Sequence, residues 1–241
     1  METDRRYMTR TEAEVAQYDV GLRQYMLSVY NYMASALALT GLIAYATATY
    51  AMSNPAVAHL LFVSQLKWVV MLAPVALVFF LAARVHAMSA GTAQLTFWIY
   101  ASLMGLSLAS IFLVFTGQSI ARVFFITAGT FASVSLFGYT TKRDLSRFGT
   151  FLFMGLIGIV IASIVNIFLA SSALQFAISV IGVLVFTGLT AYDTQRIKEL
   201  YDELDASDVM GKKAIMGALT LYLDFINLFI MLLQLFGSNR E

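Results

Sequence analysis

Seven runs of apolar residues, each long enough to cross a bilayer as a helix, leave this 241-residue chain little other choice of environment. They cover residues 29–52, 68–87, 93–116, 121–139, 150–170, 174–192 and 214–236. A hydrocarbon core takes about 20 such residues, with an accepted range of about 17–25. Together the runs absorb roughly 150 residues by that rule. No room is left for a separate soluble domain. The expected architecture is therefore an all-α polytopic membrane protein with one seven-helix bundle over residues 29–237, preceded by a polar tail over residues 1–28.

Composition agrees. Only 12% of the residues are charged and 60% are hydrophobic, whereas a soluble domain averages about 25% charged. In water such a chain would expose an apolar surface that invites aggregation. The absence of cysteine excludes disulfides, a thiolate metal site and a cysteine nucleophile. A formal net charge of +1 gives no reason to expect nucleic acid as a partner.

Short connections at 88–92, 117–120 and 171–173 make neighbouring spans antiparallel. Orientation follows from lysine and arginine, which resist translocation in short loops. With the N-terminus inside, the cytoplasmic side collects Arg5, Arg6, Arg10, Arg23, Arg84, Lys142, Arg143, Arg147, Arg196, Lys198, Lys212 and Lys213. The outer side keeps only Lys67, Arg122 and Arg240. The expectation is N-in and C-out. Two ridges of small residues, Ala101-Gly105-Ala109 and Gly129-Ser133, read as helix-packing faces.

Charges that cannot escape the bilayer cost at least about 2.5–3.5 kcal/mol each on insertion scales, so they face the bundle interior and point to a task. Arg122 opens its span at the interface and can snorkel. Arg84, Asp193 and Asp224 then need explaining. Asp224 stands near the middle of the seventh run, within a stripe of Gly217, Thr220, Asp224, Asn227, Met231 and Gln234 at helical spacing. Ser179, Gly182, Thr190 and Asp193 lie on one side of the sixth run. Thr190, Thr220, Asn227 and Gln234 are expected to line a polar path. Two carboxylates that meet at low dielectric cannot both ionise cheaply, so Asp193 and Asp224 are expected to share a proton and act as a pH switch. Arg84, at the same end by topology, can pair with either acid or simply snorkel. For Asp193 the plain alternative is an ion pair with Arg196 or contact with water.

Three stretches carry a resemblance: Leu221-Tyr222-Leu223-Asp224-Phe225-Ile226-Asn227-Leu228-Phe229, Ala191-Tyr192-Asp193-Thr194-Gln195, and Gly138-Tyr139-Thr140-Thr141-Lys142-Arg143-Asp144-Leu145. Over residues 22–237 the chain resembles the Bax-inhibitor-1, or transmembrane Bax inhibitor motif, family, and its bacterial inner-membrane branch in particular. The resemblance implies a central seventh helix and a pH-sensitive calcium leak. It also implies a proton-sharing aspartate pair at Asp193 and Asp224, and a latch arginine near the end of the second span, where Arg84 is the arginine present.

The leading expectation is a passive, proton-gated cation path in the inner membrane. Calcium is the transported ion, on the strength of the resemblance, and Asp193 and Asp224 are its transient ligands. Hard oxygen ligands suit that ion. No cofactor and no enzymatic activity are expected, and the partners are the lipid bilayer and calcium. A second class is a regulator that binds other membrane proteins, such as a protease or a death-pathway component. An intramembrane aspartyl protease is a remote third. Paired aspartates on adjacent helices would serve it, but the Gly-Leu-Gly-Asp and Pro-Ala-Leu signatures of those enzymes are absent.

Overall fold

The computed structural model describes residues 10–240, with side chains from Gln17 onward. Seven long helices account for the seven apolar runs: α1 (Arg10–Ser53), α2 (Leu66–Arg84), α3 (Ala90–Leu108), α4 (Gly117–Thr140), α5 (Ser146–Leu169), α6 (Ser172–Glu199) and α7 (Ser207–Phe236). Each is long and apolar enough to cross a membrane.

The first helix starts well before the first apolar run. Its 44 residues extend about 66 Å at 1.5 Å per residue, more than twice the hydrocarbon thickness of about 30 Å. Leu22, Tyr25 and Met26, in the stretch read as a tail, are core residues. Polar neighbours such as Arg23 and Gln24 are exposed and mask this buried stripe in a composition count. Residues 1–9 lie outside the described part.

The third run is also not one straight rod. α3 stops at Leu108, a single turn follows at Ile111–Val114, and Phe115 pairs as an antiparallel bridge with Asn239. Thr116 N–H donates to the Ser238 carbonyl (3.0 Å) and Arg240 N–H to the Val114 carbonyl (2.8 Å), so the C-terminal residues fasten this break. The other tight turns have ordinary local causes. Ser89, Thr116 and Ser171 cap α3, α4 and α6 through their hydroxyls. Ala170 leaves α5 in the left-handed region, at φ 49°, and Ser171 N–H is caught by Asn166 Oδ1 at 3.0 Å.

Helix α7 sits in the middle, packed on α1, α3, α4 and α6. Of its most apolar stretch 67% is buried, against 11% for α2 and for α5. Among the long helices α2 leans chiefly on α3, and α5 on α6. These two flanking spans present their apolar residues outward, where lipid is as good a partner as protein. The ridge on α3 packs as its spacing suggests: Ala101 and Ala109 are fully buried, and a Cβ on Gly105 would meet the Thr40 carbonyl oxygen at 2.8 Å. The second ridge does not, because Gly129 and Ser133 are exposed and nothing lies within 4 Å of a Cβ on Gly129. Thr127, Ser135 and Gly138 form the inward face of α4 instead.

Candidate functional site

The register between α6 and α7 decides where the aspartates meet. Ser179 donates to Gln234 Oε1 at 2.8 Å, a Cβ on Gly182 would touch Met231 Sδ at 2.7 Å, and one on Gly217 would touch Ile197 Cγ2 at 3.0 Å. In this antiparallel alignment Asp193 stands level with Thr220 and Leu221, and Asp224 level with Leu189 and Thr190. The two residues are offset by about one helical turn, 5.4 Å. Side chains on a helix tilt toward its N-terminus. On antiparallel helices those tilts are opposed, so Asp193 and Asp224 lean toward one another across the offset. Their carboxyl groups lie within hydrogen-bonding reach.

Both acids line a cavity of about 460 Å³ between α5, α6 and α7, with Thr150, Arg196, Thr220 and Asn227 on its wall. Asp224 is 5% exposed, and among the described residues no donor serves its fully buried Oδ2. Asp193 is half-buried and Arg196 exposed, so the cavity grades from a charged mouth to a sealed interior. Thr220 donates to its own helix at Met216 O (3.1 Å), and Asn227 Nδ2 to Leu223 O (2.8 Å). The Thr220 hydroxyl proton and one of the two Asn227 amide protons are thus spent on backbone. Thr220 Oγ1 and Asn227 Oδ1 are left as acceptor oxygens beside the two carboxyls, with Arg196 as the cationic wall residue.

The structure divides the predicted polar stripe. Thr220 and Asn227 line the aspartate cavity. Thr190 is fully buried with its hydroxyl on the Phe186 carbonyl (2.8 Å), away from that wall. Gln234 belongs to a separate amide cluster near the far end of α7, where it accepts from Gln175 Nε2 (2.7 Å) and Ser179. Gln175 Oε1 accepts from Asn166 Nδ2 at 3.1 Å. Arg84 is not brought to the pair: it is exposed at the end of α2, lines no part of the cavity, and α2 packs chiefly on α3. The charge acting on Asp193 is that of Arg196, one turn further along α6.

A composition-led reading missed two further features. Gln195 pins the α4–α5 loop beside the pair, accepting from Leu145 N–H (2.8 Å) and donating to the Arg143 carbonyl (2.8 Å). A hydroxyl chain joins three helices: Tyr30 to Ser135 at 2.7 Å, Ser135 to Thr194 at 2.8 Å, and Thr194 to the Thr190 carbonyl at 2.7 Å. No local spacing announces either one, since each joins residues fifty or more positions apart.

The profile of a family described as "Inhibitor of apoptosis-promoting Bax1" matches residues 22–241, all but the first 21 residues. The chain belongs to the Bax inhibitor-1 family. That Bax inhibitor-1 match takes in both aspartates and every helix that frames them. Within related proteins, the inner membrane protein YbhL of Escherichia coli K12 is 50% identical over 229 residues, 94% of this chain and 96% of its own length. An uncharacterized Rickettsia prowazekii protein, RP147, is 48% identical over 96% of both chains. An uncharacterized Streptococcus pyogenes membrane protein, SpyM3_0260, keeps 35% identity over 92% of this chain and 96% of its own.

Proposed function

We propose that this Bax inhibitor-1 family member is a passive cation pathway of the bacterial inner membrane, with calcium as the ion and the Asp193–Asp224 pair as its proton-controlled closure. The observation that carries this reading is the meeting of the two carboxyls inside a cavity whose interior also holds the oxygens of Thr220 and Asn227, with Arg196 at its mouth. Two carboxyl groups hydrogen-bond only while one of them holds a proton. At low pH the shared proton ties α6 to α7; when it leaves as pH rises, two adjacent negative charges repel in a site that screens them poorly. The helices then part, or a cation takes the place of the proton.

Calcium suits such a site because it binds carboxylate and amide oxygens, but it takes six to eight of them. Two carboxylates with Thr220 and Asn227 reach the lower end of that range only if both carboxylates bind through both oxygens, and fall short of it otherwise. The pair is thus a transient station on a path, with water completing the shell, and is assigned no catalytic task. The basic end of the bundle, with Lys142, Arg143, Arg147, Lys212 and Lys213, faces the cytoplasm in this reading. The N-terminus is on that side. The name of the E. coli relative supports the inner membrane.

The test is calcium entry into proteoliposomes at acid and alkaline pH, comparing wild type with Asp193→Asn, Asp224→Asn and the double variant. Wild-type flux should depend on pH and that of the variants should not. Identical profiles in all four proteins would remove the pair from the mechanism.

A further inference from the structure

Opposite the aspartate cavity, α7 forms the floor of a long groove. At 100° per residue, Thr220, Leu223, Asp224 and Asn227 occupy one face of the helix, and Phe225, Ile226 and Phe229 the other. Over that second face α1 and α4 both pack on α7 but scarcely on each other. Two cavities result, about 680 Å³ and 400 Å³, and they share Leu37, Phe124 and Phe225 as walls, so they run end to end.

Each end of the groove carries a guanidinium. Arg23 lines one mouth. Arg240 lines the other, where its Nη1 rests on Met52 Sδ at 2.9 Å. From Arg23 to Met52 along α1 is about 43 Å at 1.5 Å per residue. A bilayer measures about 40–45 Å including its headgroup regions. The groove thus spans the lipid with an arginine at each headgroup level.

The wall says what kind of molecule fits. No carboxylate lines either cavity. In the larger one the hydroxyls of Tyr30 and Ser135 are already committed. Thr194 must donate to the Thr190 carbonyl, so Ser135 donates to Thr194 and Tyr30 to Ser135. Between Met26, Met33, Phe131 and Ala132 there is no free donor at mid-depth, so the slot accepts a hydrocarbon chain. Tyr139, a wall residue of the same cavity, carries a second cation nearby: the Lys198 Nζ donates to its carbonyl at 2.9 Å and sits 5.2 Å from its ring centroid, although Lys198 itself does not line the cavity. A guanidinium fork matches phosphate oxygens.

We propose that the Arg23 half of this groove is a phospholipid site: one acyl chain lies between α1 and α4, and the phosphate rests on Arg23. This holds whether or not the aspartate cavity conducts. The experiment is native mass spectrometry of the full chain released from detergent micelles doped with dioleoylphosphatidylglycerol or with dioleoylglycerol, which has the same tails and no phosphate. Wild type should retain the phospholipid about tenfold better, the worth of one charge-assisted contact. Arg23→Gln should remove that preference while the diacylglycerol is held as before. Ala132→Trp, which fills the slot from an exposed position on α4, should abolish retention of both, and Ala128→Leu is the milder filler if the tryptophan variant does not fold. Unchanged retention in the filled variants would overturn the groove as the site. An unchanged phospholipid preference in Arg23→Gln would overturn the phosphate contact.

Discussion

Asp193 and Asp224 reach each other because their helices run in opposite directions. The register of α6 against α7 leaves the two Cα positions about one turn apart, and the N-terminal tilt of helical side chains closes that distance from both sides. The buried Oδ2 of Asp224 meets no donor among the described residues, so the contact between the acids rests on a proton that one of them holds. Removing that proton costs the contact and adds a repulsion. Thermal unfolding in detergent should therefore show wild type losing stability as pH rises. Asp224→Asn should give a flat profile, since an amide donates to the Asp193 carboxylate at any pH. Asp193→Ala, which leaves Asp224 unpartnered, should lower stability by about 1–3 kcal/mol at acid pH. The same pH slope in wild type and Asp224→Asn would show that the bond carries no proton.

Helix α4 offers a matched pair of glycines. A Cβ on Gly138 would collide with the Ala191 carbonyl oxygen of α6, a backbone atom that cannot swing aside, whereas a Cβ on Gly129 meets nothing within 4 Å. Gly138→Ala should destabilise by about 1–3 kcal/mol through overpacking. Gly129→Ala should be neutral or stabilising by about 0.5–1 kcal/mol, because alanine loses less backbone freedom in a helix interior. Thermal midpoints of the two variants in the same detergent check this, and equal losses would contradict the close approach of α4 to α6.

The glycine pair also shows how far pattern reading carries. Seven spans are legible because lipid demands long apolar runs, and the aspartates because charge is scarce there. Which small residue faces a neighbour is a different matter: Gly105 and Gly129 stand in equally plausible ridges, and only the packing of α3 on α1 and the outward turn of α4 tell them apart. The stripe on α7 has the same ambiguity. Thr220, Asn227 and Gln234 share a face over four turns, yet α5 and α6 enclose the first two with the acids and bind Gln234 into an amide cluster. Arg84 lies near the right end of the bundle in sequence terms. It misses the pair because α2 is a flanking helix, and Arg196 has that place through its own helix spacing.

At the α4–α5 loop, Asp144 gives a pH effect of opposite sign to that of the buried pair. Hydrogen bonds from the Ser146 hydroxyl and backbone N–H, the latter 2.8 Å long, hold its carboxyl below its ordinary value. The native state then binds fewer protons than the unfolded chain, so the contribution is fully present above the ordinary carboxylate value and is lost as pH falls through the depressed one. Asp144→Ala should speed amide hydrogen exchange in the first turn of α5 several-fold at neutral pH. Acidification should lower the protection factors of the same amides in wild type, once the intrinsic slowing of exchange by acid is divided out. Exchange that ignores both changes would mean the bond does not hold the helix start.

The hydroxyl chain has a direction, and its direction predicts unequal costs. Thr194 donates to the Thr190 carbonyl, which obliges Ser135 to donate to Thr194 and Tyr30 to donate to Ser135. Tyr30→Phe removes the first donor and leaves every other proton in the chain placed. Its cost should stay near the net worth of one hydrogen bond, about 0.5–1.5 kcal/mol. Ser135→Ala is different. It strips the acceptor from the Tyr30 hydroxyl and the incoming donor from Thr194, at a position 2% exposed. Leaving a half-buried donor unmet adds about 1–3 kcal/mol. Unfolding free energies of the two variants and of the double variant should show Ser135→Ala as the larger loss. In the double variant Tyr30→Phe should recover part of that loss, since the stranded phenol is gone. Additive losses would mean that Tyr30 and Ser135 do not act through one chain.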